Sequence, residues 1–188
     1  MSFMSRLTFI FVHGLSGWGS YDAAYRRMPY WGMRGGDLIA FLRQQGFDCY
    51  AASVAPTGSA WDRACELYAQ IAGSGVDYGK AHSEAYRHER FGRDFSDCPL
   101  IPEWDDDTRL VLLGHSFGGA TVRLFSELLA HGDEAEKEAG ADSAFFRGGM
   151  EYGTAGRPHA QTRYSGVLSE IAQDDRSIIG NAAIHAFL

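Results

Sequence analysis

The sequence predicts an α/β fold, a mostly parallel sheet with flanking helices, on three observations. The runs Leu7–Val12 and Arg109–Leu113 are almost continuously apolar, which suits strands buried on both faces. Each run ends in a glycine-rich turn, and the second turn leads directly into a helix-periodic segment. Strand-like and helix-like stretches alternate through the first two thirds of the chain, the signature of βαβ units.

Bulk properties narrow the class. With 188 residues, 45% hydrophobic and 22% charged, the chain is expected to be a single α/β domain over residues 1–188. A net charge of −7 with no Lys/Arg block argues against nucleic acid and anionic membrane surfaces as partners. No apolar run reaches the length of an integral membrane segment, and no signal peptide precedes Leu7, so a secreted protein with this sequence would be a mature form. The three cysteines, Cys49, Cys65 and Cys98, have neither zinc-ribbon nor redox spacing and do not suggest a disulfide framework.

Taken in order, Leu7–Val12 is the first strand, ending in the loop His13-Gly14-Leu15-Ser16-Gly17-Trp18-Gly19. Asp37 caps a helix over Leu38–Arg43, which Gly46 closes. Cys49–Ala55 is the second strand, stopped by Pro56. Ser59 and Asp62 form a capping box for a helix over Ala60–Ala72, with Trp61, Cys65, Tyr68 and Ile71 along one stripe. Residues 76–107 lack a clean period and are interrupted by Pro99 and Pro102, so they form an excursion from the core whose acidic run, Glu103–Asp107, is a solvated turn. After Arg109–Leu113 a helix is expected over Ala120–His131, with Gly132 as its stop. Ser143–Gly149 is expected on the sheet edge. Beyond Met150 only Ser165–Ala172 and Ile178–Leu188 are helical candidates.

Gly114-His115-Ser116-Phe117-Gly118 fits the G-x-S-x-G pattern, in the strand-to-helix context that a nucleophile elbow requires. A serine on that sharp turn has its hydroxyl lifted off the sheet edge, at the positive end of the following helix. His13-Gly14-Leu15 follows the first strand, where such folds place a second oxyanion donor. The hole would then use the backbone amides of Leu15 and Phe117. His13 itself reads either as part of this site or as a satisfied core histidine.

Five segments in order resemble the thermoalkalophilic bacterial triacylglycerol lipases. They are residues 13–19, Tyr30-Trp31-Gly32, residues 61–66, Val76-Asp77-Tyr78-Gly79 with Ala81-His82, and Gly114-His115-Ser116. The resemblance runs from about Leu7 to about Gly149 and implies a secreted α/β-hydrolase fold with a structural zinc. It implies Ser116 as nucleophile acting on lipid or small esters, and Asp62, His82 and His88 as zinc ligands in an excursion at about residues 60–107. Trp61 and Tyr78 are then packing residues beside the metal. The family's fourth zinc ligand, its calcium site and its catalytic acid and histidine all lie late in the chain, and none can be placed here.

The tail, residues 150–188, diverges from the family, so the fold is expected to be incomplete at its C-terminal end, as in a truncated copy. His159 and His185 follow Ser116, and the order Ser116, Asp174 or Asp175, then His185 suits a triad, but Gly166–Gln173 reads as an amphipathic helix rather than a buried strand. The expected function is lipase-type ester hydrolysis. A non-catalytic fragment or pseudoenzyme with a partial zinc site is the alternative, and an acyltransferase using the same elbow is a third.

Overall fold

The computed structural model describes residues 6–105 and 107–149. The helical candidates of the tail, with His159, Asp174, Asp175 and His185, lie outside the described residues. The described chain runs β1 (Arg6–Val12), α1 (Leu38–Gln44), β2 (Asp48–Ala52), α2 (Ala60–Ala72), β3 (Gly75–Asp77), α3 (Lys80–Tyr86), β4 (Phe91–Asp94), β5 (Thr108–Gly114), α4 (Phe117–His131), α5 (Glu134–Glu138) and α6 (Ala144–Arg147). β1 is flanked by β2 and β5 and parallel to both, with Val12 in register with Ala52 and Gly114. All three strands therefore end at one rim, the edge where parallel α/β sheets place their sites.

Alternation along β1 divides the core into two layers. Ile10 and Val12 pack with α2 and α4, while Phe11 joins Ile39, Cys49 and Ala51 beneath α1. The expected caps are present: Asp37 accepts from the Ile39 and Ala40 amides, and the Ser59–Asp62 capping box is reciprocal. Among the described residues no helix is long and apolar enough to cross a membrane.

Several boundaries differ from expectation for identifiable reasons. β2 stops at Ala52, not Ala55, because the Gln70 side chain takes over the backbone of Ser53. Its Oε1 accepts from Ser53 N at 2.9 Å and its Nε2 donates to Ser53 O at 2.8 Å. α4 begins at Phe117, three residues earlier than the apolar period suggested, because Gly118 and Gly119 close its first turn onto the His115 and Ser116 carbonyls. The excursion is ordered, with β3 and β4 pairing antiparallel around α3.

Ser143–Gly149 does not sit on the sheet edge. It forms α6, which inserts Phe145 against Tyr68 and Phe125 and stacks Phe146 on Trp61. Two adjacent phenylalanines need two apolar slots, and α2 and α4 supply them. A Cβ at Gly148 would lie 2.2 Å from the His131 carbonyl carbon, so glycine there lets α6 close onto the end of α4.

Candidate active site

The turn between β5 and α4 has the geometry of a nucleophile elbow. Ser116 has φ 54° and ψ −123°, a conformation that side-chain-bearing residues seldom adopt. Its flanking glycines are required by close backbone approach. A Cβ at Gly114 would sit 2.4 Å from the Gly118 carbonyl carbon, and one at Gly118 would sit 2.2 Å from Val12 O. The turn leaves Ser116 exposed at the N-terminus of the 15-residue α4. Among the described residues nothing hydrogen-bonds its hydroxyl.

The loop after β1 closes on this turn. An ideal Cβ on Gly14 would come within 2.9 Å of Ser116 Cβ. The neighbouring amides of Leu15 and Phe117 have no acceptor among the described residues, as donors reserved for an oxyanion would require. His13 is the satisfied core histidine. Its Nδ1 lies 2.8 Å from Gly14 O, and Val54 N–H donates to its Nε2 at 3.3 Å. Those partners fix the neutral tautomer with the proton on Nδ1, and burial pushes the pKa below the usual histidine value.

Two residues that lie in matched segments, but for which sequence reading expects no role, brace the site. The Tyr30 hydroxyl accepts from Gly14 N at 3.1 Å and lies 2.6 Å from His115 Nδ1, bridging the loop and the elbow. Arg63 of α2 is fully buried and donates to His13 O, to Ala55 O at 2.7 Å and to Thr121 Oγ1 at 3.0 Å. Arg63 lies beside Ala64 on the buried side of α2, where its charge sets it apart from the apolar stripe.

Asp62, His82 and His88 converge as expected, with one donor atom from each within 4.8 Å of the others. Asp62 Oδ1 lies 3.2 Å from His82 Nε2 and 3.7 Å from His88 Nε2. Donors around a tetrahedral zinc, with bonds near 2.1 Å, are separated by about 3.4 Å, so these groups fit the ion. Two of the three groups are also oriented: Asp62 Oδ2 is held by Ser59, leaving Oδ1 toward the histidines, and His88 Nδ1 donates to Glu89 O at 2.9 Å, leaving Nε2 unprotonated. Burial, partly opposed by Asp62, pushes the pKa of His82 below the usual histidine value and so favours the neutral form.

His82 stacks on Trp61 at 4.8 Å and 10°, and Trp61 Nε1 donates to Tyr78 O, so both aromatic residues pack rather than ligate. Glu136 of α5 is buried beneath α3, where its carboxylate accepts from the Ala81 and His82 amides at 3.1 and 2.7 Å. No sequence motif announces Glu136. It is recognised only once α5 is seen to dock on α3.

A groove of about 600 Å³, lined by Tyr68, Ile71, Pro99 and Trp104 among others, lies toward the opposite end of the sheet and has no part in the serine site.

The family described as lipase-like, C-terminal domain, matches residues 5–179. Lipase 2 of Staphylococcus aureus is 38% identical over 151 residues, covering 78% of this chain and 22% of that protein. A lipase of Staphylococcus epidermidis is 35% identical and covers 92% of this chain, 27% of its own length. Among solved structures, EstA from Clostridium botulinum superposes with a TM-score of 0.69 at 39% identity, covering 77% of this chain and 33% of that one. Staphylococcus hyicus lipase superposes with a TM-score of 0.67 at 37% identity, covering 77% and 38%. The chain thus spans about a quarter of the curated relatives it matches. With the partial α/β fold shared by these neighbours, the chain belongs to the lipase-like, C-terminal domain family of bacterial lipases.

Proposed function

We propose that this chain carries the nucleophile-bearing part of a lipase-type carboxylic ester hydrolase acting on lipid or small esters. The conformation of Ser116 at the β5–α4 junction is the observation that carries the reading. The Ser116 oxygen attacks the ester carbonyl carbon and the carbonyl π pair moves onto oxygen, where the Leu15 and Phe117 amides hold the negative charge. Collapse expels the alcohol, which takes up the proton lost by Ser116, and water then releases the acid from the acyl-serine by the same two steps. Among the described residues no histidine or carboxylate hydrogen-bonds the Ser116 hydroxyl as a base would. For that reason a non-catalytic role for the chain on its own is the second reading.

Asp62, His82 and His88 fit a zinc ion, which would crosslink α2 to α3 and the turn after it. Its role would be structural, away from the reacting serine.

The test is a fluorophosphonate probe with mass spectrometric mapping of the adduct, alongside hydrolysis of a p-nitrophenyl ester. Ser116 is expected to be the labelled serine. Labelling on another serine, or labelling undiminished in Ser116→Ala, would overturn the assignment. Measurable turnover that Ser116→Ala abolishes would reject the non-catalytic reading.

A further inference from the structure

Arg63 is a buried cation in an unusual position. It is 0% exposed, and among the described residues no carboxylate forms a salt bridge with it, Glu66 one turn along α2 attracting it only from beyond that distance. Taking a guanidinium out of water costs several kcal/mol, and a well-packed apolar side chain in such a place is often as stable or more so. Arg63 is therefore a poor choice for packing alone, and the groups it touches explain its presence. One side of the guanidinium donates to His13 O, on the peptide that enters the Gly14-Leu15 turn. Its Nε donates to Thr121 Oγ1 at 3.0 Å, and that hydroxyl donates to Phe117 O at 3.2 Å, one turn back along α4. The guanidinium carbon also lies 5.4 Å from the Phe117 ring centroid. The third bond, to Ala55 O, anchors the side chain to the segment after β2.

Leu15 and Phe117 follow β1 and open α4; the β1–β5 pairing ends at Val12 and Gly114 with His115 N donating to Val12 O, so both amides lie two to three residues beyond the last ladder bond. Arg63 touches the backbone of one element directly and that of the other through a single hydroxyl. We propose that Arg63 is a positioning residue for the serine site, its guanidinium setting the relative placement of the Leu15 and Phe117 amides by clamping His13 O to Thr121. This role rests on the reading of Ser116 and those two amides as the reacting centre. Arg63 touches no reacting atom and holds the peptides that do. The planar fork matters as much as the charge, because Lys offers one donor centre and cannot span His13 O, Ala55 O and Thr121 together.

The experiment measures the second-order rate of Ser116 labelling by a fluorophosphonate, whose phosphoryl oxygen occupies the oxyanion position in the transition state, together with the melting temperature. Losing one oxyanion donor costs about 10²–10³ in rate, and displacing a reacting group by 1 Å costs about 10². Arg63→Met is expected to slow labelling by about 30–100-fold and Arg63→Lys by about 10-fold. A core truncation away from the site, Leu128→Ala, supplies the structural control, because it lowers the melting temperature while leaving the labelling rate within about twofold. If Arg63→Met does not fold, Thr121→Ala carries the test. It cuts only the α4 side of the clamp and is expected to slow labelling by about 5–10-fold.

Labelling of Arg63→Met or Thr121→Ala at the wild-type rate, or slowing no greater than in a control of equal melting temperature, overturns the proposal and leaves the serine assignment standing. A wild-type chain that does not label at Ser116 removes the serine reading and the Arg63 role together.

Discussion

Gly118 and Gly119 stand side by side in the first turn of α4, yet substitution by alanine is expected to act in opposite directions. At Gly118 a Cβ would lie 2.2 Å from Val12 O and 2.8 Å from His13 O, both backbone atoms of β1 and its loop. Ordinary contact begins near 3.4 Å, so α4 must retreat from β1 by about 1 Å. Neither atom is at the end of a flexible side chain, which places the cost at the upper end of overpacking, about 3 kcal/mol. For a domain of this size that is a fall of about 6–12 °C in melting temperature. At Gly119 a Cβ meets nothing within 4 Å among the described residues, so only the helical preference of alanine remains, worth up to about 1 kcal/mol and a rise of about 2–4 °C. Differential scanning calorimetry on the two single variants reads both shifts. Fluorophosphonate labelling of Ser116 reads the function, expected to drop about 10²-fold in Gly118→Ala and to hold in Gly119→Ala. A Gly118→Ala protein that melts and labels like wild type would refute the close-approach account of the elbow.

Zinc added to metal-free protein is expected to raise the melting temperature, by the equivalent of about 2.7 kcal/mol at a hundredfold excess over Kd, and His82→Ala or Asp62→Asn should abolish the rise. Elemental analysis finding no zinc in protein prepared without chelator would count against the site. Glu136→Gln should loosen the first turn of α3, since each carboxylate oxygen accepts from one of the Ala81 and His82 amides and Gln replaces one of those acceptors with a donating NH2. The expected cost is about 2 kcal/mol of stability with a 10–100-fold weaker zinc affinity, read by calorimetry. His13 has a folded pKa below its unfolded value near 6.5, because burial outweighs the Gly14 hydrogen bond, with Arg63 lowering it further and Asp22 opposing. The unfolded chain therefore binds the proton first, and stability is lost as pH falls from about 6.5 toward the folded pKa. His13→Asn should flatten the acid side of a urea-midpoint profile in that window; an unchanged slope would show that other groups set it.

Most of the sheet and the elbow were legible because local chemistry and tertiary need agree there. Leu7–Val12 is a strand buried toward its C-terminal end, although Leu7 itself is exposed, Asp37 and the Ser59–Asp62 pair cap the helices directly after them, and Gly114–Gly118 forms the expected strand-to-helix turn. The Asp62, His82 and His88 group was legible only through the family resemblance, since six residues separate His82 from His88, and a left-handed Arg87 at φ 59° makes the turn that brings them together. What escaped was the polar framework. Arg63, Gln70 and Glu136 are each the kind of residue that normally faces water, and each is buried against backbone from a distant part of the chain. α6 escaped for a related reason, since its two phenylalanines fill slots that exist only after α2 and α4 have met.

That polar framework arises from a backbone requirement. Residues 53–55 leave the sheet at the site rim, where β2 has ended and no neighbouring strand remains to bond them, so their amides and carbonyls must find partners elsewhere. Arg63, Glu66 and Gln70, three and four residues apart along α2, share the face turned toward that segment. Arg63 donates to Ala55 O, Glu66 accepts from Ala55 N at 2.5 Å, and Gln70 bonds both polar groups of Ser53. In effect α2 supplies the hydrogen bonds that another strand would have made. Burial pushes the Glu66 pKa up, while the Ala55 amide, the Tyr78 hydroxyl and Arg63 oppose that shift by favouring the carboxylate. The same stretch of helix carries Asp62 toward His82 and His88 and Arg63 toward His13 O, so the proposed metal site and the proposed serine site share one mechanical support. A helix whose polar residues were solvated would leave the backbone of residues 53–55 without these partners, and a hydropathy pattern alone assigns Arg63, Glu66 and Gln70 to the wrong side of the helix.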